Sequence, residues 1–156
     1  MNKLSGIILI FIVFISCKNV EKEKTKNSVK TEFQEIKNAD YELSKPTENI
    51  KRVLVLFGSY LEKAEDIKRE FNVIDDAKKN SVALVFMNYH QKLWLTESEK
   101  KELTIKLHKI FKENKLPTKN TFFGGFSSGG NVALLISDFL SQKKSEINPK
   151  GVFVVD

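Results

Sequence analysis

The stretch NTFFGGFSSGGNV, Asn120 to Val132, decides how the rest of the chain is read. Its first part, Asn120 to Gly124, has the aromatic and β-favouring residues of a short strand. From Ser128 onward Ala133, Leu134, Leu135, Ile136 and Phe139 read as a helix ending near Leu140. Between the two lie Gly125, Phe126, Ser127, Ser128 and Gly129, a Gly-x-Ser-x-Gly pattern in strand-turn-helix context. A serine on so sharp a turn needs small neighbours two positions either side, because a side chain there would strike the strand or the helix. The helix start aims its N–H groups at the same point, which suits a developing negative charge. By composition alone the pattern arises in roughly one chain of this length in twenty, so its flanking elements carry the weight. A glycine-rich phosphate loop is the competing reading. Asn131 and Val132 stand where such a loop needs lysine and a hydroxyl, and no dinucleotide fingerprint follows Phe57.

Strand and helix alternate on both sides of this turn. Val53 to Phe57 is apolar on both faces, the pattern of a strand buried between helical layers. Leu61, Ala64, Ile67, Phe71 and Ile74 form one apolar stripe and predict a single helix of about 18 residues. Ser81 to Met87 predicts a second buried strand. Thr96 and Glu99 form a capping box, and the helix behind them carries Leu103, Leu107, Ile110 and Phe111 on one side, ending before Pro117. Tyr41 to Lys45 predicts a short strand that Pro46 ends, and Gly151 to Val155 a further one. Alternation of this kind predicts an α/β three-layer sandwich with a mostly parallel central sheet. Chemistry in such a sheet belongs at the carboxyl ends of the strands, here Gly58–Tyr60, Asn88–His90, Gly125–Gly129 and Asp156.

From about residue 40 onward the chain resembles the N-terminal part of bacterial α/β-hydrolase esterases, a truncated α/β-hydrolase fold. Its spacing from first buried strand to serine is similar to polyhydroxybutyrate-depolymerase-like and feruloyl-esterase-like members. The resemblance implies Ser127 as nucleophile and the N–H of Ser128 as one oxyanion donor, with a second from Ser59 or Tyr60. It implies a small-molecule or polymer ester as substrate and calls for no cofactor and no metal. Family members often carry a His-Gly pair after the first buried strand, whereas this chain has Phe57 and Gly58.

A serine hydroxyl needs a base to take its proton, and in the family the acid and histidine follow the serine. No histidine follows Ser127; His90 and His108 both precede it. His108 lies within a predicted helix and reads as a surface or half-buried residue. His90 follows a strand at the reactive edge, where it suits substrate contact better than a triad role. Asp138 reads as solvated surface, and Asp156 ends a strand where some hydrolases place their acid. An apolar strand at Gly151–Val155 without a covering helix reads as the end of a fragment whose missing part carries the triad partners. Two expectations follow: a serine hydrolase that is incomplete and inactive as this fragment, or a non-catalytic protein using a decayed hydrolase fold for binding.

The N-terminus sets the cellular expectation. Met1 to Lys3 is a short positive start, and Leu4 to Ser16 is an apolar run too short to span a bilayer. Ile15, Ser16 and the single cysteine, Cys17, resemble the lipobox of bacterial lipoproteins, with Phe14 where leucine is usual. The resemblance implies a signal peptide over residues 1–16 and a membrane anchor of lipid on Cys17, placing the protein in the cell envelope. Residues 17–40, charged and without period, read as a flexible tether to a domain over 41–156. One cysteine excludes an internal disulfide. The net charge is +6, but lysines and acids alternate along the chain rather than forming a block. That argues against nucleic acid as a partner and for a solvated lysine-rich surface, drawn weakly to anionic lipid.

Overall fold

The computed structural model describes residues 32–89 and 94–155. The proposed signal peptide and Cys17 lie outside the described residues, as do His90 and Asp156. In chain order the elements are β1 (Phe33–Lys37), β2 (Tyr41–Pro46), β3 (Arg52–Phe57), α1 (Ala64–Glu70), α2 (Ile74–Asn80), β4 (Val82–Met87), α3 (Glu97–Glu113), β5 (Thr121–Phe126), α4 (Ser128–Gln142) and β6 (Pro149–Val155). The strands make one six-stranded sheet in the order β1-β2-β4-β3-β5-β6. Strands β4, β3, β5 and β6 are parallel, and β1 and β2 are antiparallel additions at one edge.

Both faces of the sheet are covered, which explains why Val53–Phe57 of β3 and all of β4 are apolar. Val53, Val55 and Phe57 of β3 join α3 and α4 in one core with Leu103, Leu107, Ile110, Val132 and Ile136. Leu56 of β3, with Leu84 and Phe86 of β4, packs on Ala64, Ile67 and Ala77 of α1 and α2. Each of these strand side chains is removed almost wholly from water. Burial of a large aliphatic or aromatic side chain contributes roughly 1.5–3 kcal/mol, so the central strands anchor the fold.

Two expectations need correction. The stripe from Leu61 to Ile74 forms two helices of 7 residues each, not one long helix. Phe71 leaves the helical path with ψ 88°. Its ring then packs against Phe126 at 5.6 Å and Phe153 at 6.1 Å. Aromatic packing across the sheet outweighs one more turn of helix. Part of the segment read as tether is also ordered, because Phe33–Lys37 pairs along its length with Tyr41–Pro46. Its charged residues are matched sideways: Glu35 accepts from Ser44 at 2.6 Å and pairs with Lys68 at 2.7 Å, while Lys37 reaches Glu42 at 2.6 Å. A polar strand suits a sheet edge, and its composition hid it.

The connections fix where a site can form. The chain leaves β3 for α1 on one face and leaves β5 for α4 on the other. A crevice therefore opens between the carboxyl ends of β3 and β5, the switch point of the sheet.

Candidate active site

Ser127 stands at that switch point, between the end of β5 and the first residue of α4. It is exposed, and its backbone has φ 46° and ψ −116°. Such a conformation disfavours every residue with a Cβ and costs on the order of 1–3 kcal/mol. No described glycine has positive φ, so the strain falls on the serine itself.

The flanking glycines are needed for space. A Cβ on Gly125 would lie 2.3 Å from the carbonyl carbon of Gly129 and 2.7 Å from the nitrogen of Gly130. A Cβ on Gly129 would lie 2.3 Å from both the Phe57 and the Gly58 carbonyl oxygens. The first turn of α4 thus rests directly on the backbone where β3 ends. Two backbone hydrogen bonds hold the turn: Ser127 N–H donates to Val155 O at 2.8 Å, and Gly130 N–H donates to Ser127 O at 2.9 Å. The Ser127 side chain makes no capping bond, and the first turn of α4 holds no acidic residue. The positive end of the helix dipole therefore meets no carboxylate of its own first turn. Ser128 is the first residue of α4 and is buried.

The turn after β3 lies beside this elbow and is occupied differently from the sequence expectation. Ser59 N–H donates to the Glu62 carboxylate in a short hydrogen bond, and Glu62 N–H donates back to Ser59 O at 3.1 Å. The same carboxylate oxygen is 2.7 Å from where a Cβ on Gly58 would stand. Ser59 is thus in the right turn, but its N–H is already committed. Tyr60 is 65% exposed beside it, and Leu61, 72% exposed, has φ 67°. The sequence reading missed Glu62; the signal that could have found it is Ser59-x-x-Glu62, a capping-box spacing just before the helix.

Neighbouring groups at the carboxyl edge are structural. Asn88 Oδ1 accepts from Ala64 N–H at 2.7 Å and so caps the start of α1. Burial raises the Tyr89 phenol above its ordinary value, with Glu99 and Glu102 adding to the shift, and its ring stands edge-on to Phe57 at 6.3 Å. His108 is far from Ser127. Its Nε2 meets Ser145 Oγ at 3.0 Å beyond the C-terminal end of α4, whereas Ser127 caps the start. That helix has 15 residues, about 22 Å in length. Asp138 accepts from Gln142 at the exposed surface of α4. Among the described residues no cluster of histidine, cysteine and carboxylates is placed to hold a metal.

Comparison with solved structures returns esterases. A bacterial heroin esterase matches with TM-score 0.58 at 12% identity, over 84% of this chain and 46% of its own. Carboxyl esterase 2 of the fungus Tuber melanosporum matches with TM-score 0.57 at 13% identity, over 86% and 47%. A Rhizomucor miehei esterase structure matches with TM-score 0.54 at 18% identity, over 84% and 46%. The chain therefore has the fold of these α/β-hydrolases and spans less than half the length of each. No family model matches it, and no curated relative matches it by sequence.

Proposed function

We propose that the protein is a serine hydrolase of the cell envelope, acting on a carboxylic ester through Ser127. One observation carries this reading: an exposed serine held at positive φ where a central parallel strand gives way to a helix, in a turn that only glycines can flank. Strain of that kind persists where the surrounding structure over-determines it, and functional sites are where it collects. The esterase neighbours support the same chemistry by fold.

In the proposed reaction Ser127 Oγ attacks the ester carbonyl and the Ser128 N–H steadies the oxyanion. Collapse of the oxyanion breaks the bond to the alcohol, which leaves with the proton taken from the serine, and water then hydrolyses the acyl-serine to acid and free Ser127. The serine proton passes to a base outside the described residues, as no described histidine is within reach. Exposed Tyr60 and Leu61, in the turn beside the elbow, favour an apolar group on the substrate, whether a small ester or a polymer chain. The apolar run and Cys17 support attachment to a membrane through lipid. The native protein should hydrolyse aryl esters of short acids, and Ser127→Ala should lower kcat by about a thousandfold or more. Equal rates in the two proteins would overturn the proposal.

A second reading is favoured by Glu62. A carboxylate bound to the N–H that a second oxyanion donor would use suits a non-catalytic envelope lipoprotein binding a ligand in the same crevice. In that case Ser127→Ala leaves every measured property unchanged.

A further inference from the structure

The lysines alternate with acids along the sequence, yet the topology gathers them. The connections at the end of the sheet remote from Ser127 are β2–β3, α2–β4, α3–β5 and α4–β6. They are tied to one another by backbone hydrogen bonds: Lys51 N–H to Ser81 O at 2.9 Å, Val53 N–H to Asn120 O at 3.2 Å, and Asn148 N–H to Thr118 O at 3.1 Å. A shallow depression lined by Thr47, Asn49, Asn114 and Lys115 joins the first and third of them. Exposed on this end are Lys51 and Arg52, Lys78, Lys119, Lys144 and Lys150, in these connections or within the first or last turn or strand residues beside them. The described carboxylates among them are fewer than the cations: Glu32, Glu48, Glu113, Glu146 and Asp76, the last paired with Lys79. The opposite end, around the turn after β3, carries Asp40, Glu62, Glu65 and Asp66, three of them in ion pairs: Asp40 with Lys106, Glu65 with Lys37 and Asp66 with Arg69. The fold is electrically polar, and its cationic pole faces away from the elbow.

We infer that this lysine-rich end is a docking surface for an anionic phospholipid bilayer, which it meets face-on with the Ser127 crevice turned outward. Charge complementarity carries the inference, since each lysine near an anionic leaflet contributes about 1 kcal/mol. The entry point of the chain agrees with it. Phe33 pairs with Pro46, so residue 32 joins the fold at the cationic end, and the apolar run of residues 4–16 precedes it. Nucleic acid is the lesser fit. Single-strand binding uses aromatic stacking platforms, and the exposed Tyr60 and Trp94 follow β3 and β4, at the other end of the sheet. The surface does not depend on the chemistry proposed for Ser127, nor on an acyl chain.

The test uses the full chain carrying Cys17→Ser, sedimented with phosphatidylcholine vesicles and with vesicles containing phosphatidylglycerol. Binding to the anionic vesicles should exceed binding to the neutral ones and fall as salt is raised. Reversal of Lys78, Lys119 and Lys144 to glutamate should lower the anionic partition coefficient about tenfold or more. The same number of reversals at Lys63, Lys101 and Lys106 should lower it far less, with circular dichroism showing both variants folded. If the first variant does not fold, the anionic preference and salt dependence of the unreversed chain decide. Equal binding to both vesicle types, equal loss in the two variants, or tighter binding to an oligonucleotide than to anionic vesicles at matched salt would each overturn the inference.

Discussion

The carboxylate of Glu62 accepts the backbone N–H of Ser59 in the turn that lies against the first turn of α4. That single bond occupies the group best placed by sequence to serve as second oxyanion donor. It also stabilises a turn in which Leu61, between the two partners, sits at positive φ. Glu62 therefore holds the turn closed at the expense of the donor.

Replacing Glu62 separates these roles. Glu62→Ala should destabilise the turn by about 1 kcal/mol, the net loss of one hydrogen bond. It should also free Ser59 N–H and raise the acylation rate of Ser127 in the native protein by about tenfold, a modest share of what one oxyanion donor is worth. Glu62→Gln, which keeps an acceptor oxygen, should fall between. Rates of fluorophosphonate reaction and thermal melts of the three proteins check both effects. A slower Glu62→Ala would show that the carboxylate assists the site rather than blocks it.

The two elbow glycines should not tolerate a methyl group. Gly129→Ala places a Cβ 2.3 Å from two carbonyl oxygens of β3 and its turn, backbone that cannot step aside. The expected cost is about 3 kcal/mol or more, with loss of the Ser127 geometry. Gly151→Ala is the matched control, since its Cβ meets only the Phe122 ring, at 3.2 and 3.4 Å. It should cost under about 1 kcal/mol. Urea unfolding of the two variants measures the difference.

Strain at Ser127 predicts a stability gain from a change that removes its Cβ. Ser127→Gly accepts φ 46° freely and should stabilise by about 1 kcal/mol relative to Ser127→Ala, which keeps the Cβ and the strain. Both variants lose the hydroxyl. A melting temperature for Ser127→Gly no higher than that of Ser127→Ala would show the turn to be relaxed.

Acid should loosen the start of α1. The Lys63 N–H bonded to Asp66 holds that carboxyl below its ordinary 3.8, and Arg69 assists. A depressed folded pKa stabilises the native state fully above the unfolded value, and the benefit is lost as pH falls through the folded one. Asp66→Asn should therefore flatten the acid limb of stability below about pH 4 and change little at neutral pH. Amide exchange at Lys63 and Ala64 across that range checks it.

The fold was legible because strong signals agreed. Val53–Phe57 and Val82–Met87 are apolar on both faces, Thr96 and Glu99 form the capping box that starts α3, and the serine turn divides β5 from α4. Strand β1 was hidden because its residues match their charges to the neighbouring strand and to α1, with Glu35 on Ser44 and Lys68, rather than forming an apolar stripe. The break between α1 and α2 was hidden because Phe71 fits a helical period yet packs on Phe126 and Phe153, contacts set by distant parts of the chain. The cationic pole was invisible for a related reason: Lys51, Lys78, Lys119 and Lys150 are neighbours only once the strands are parallel. At the site, the turn holding Ser127 and its glycines was legible, while Glu62 was missed because its spacing from Ser59 also describes a plain helix cap.

The most direct measurement is the site of covalent modification by a fluorophosphonate. The native protein, treated and digested, should carry the adduct on Ser127, and Ser127→Ala should carry none. A native protein that stays unmodified, or that takes the adduct on another residue, would contradict the account.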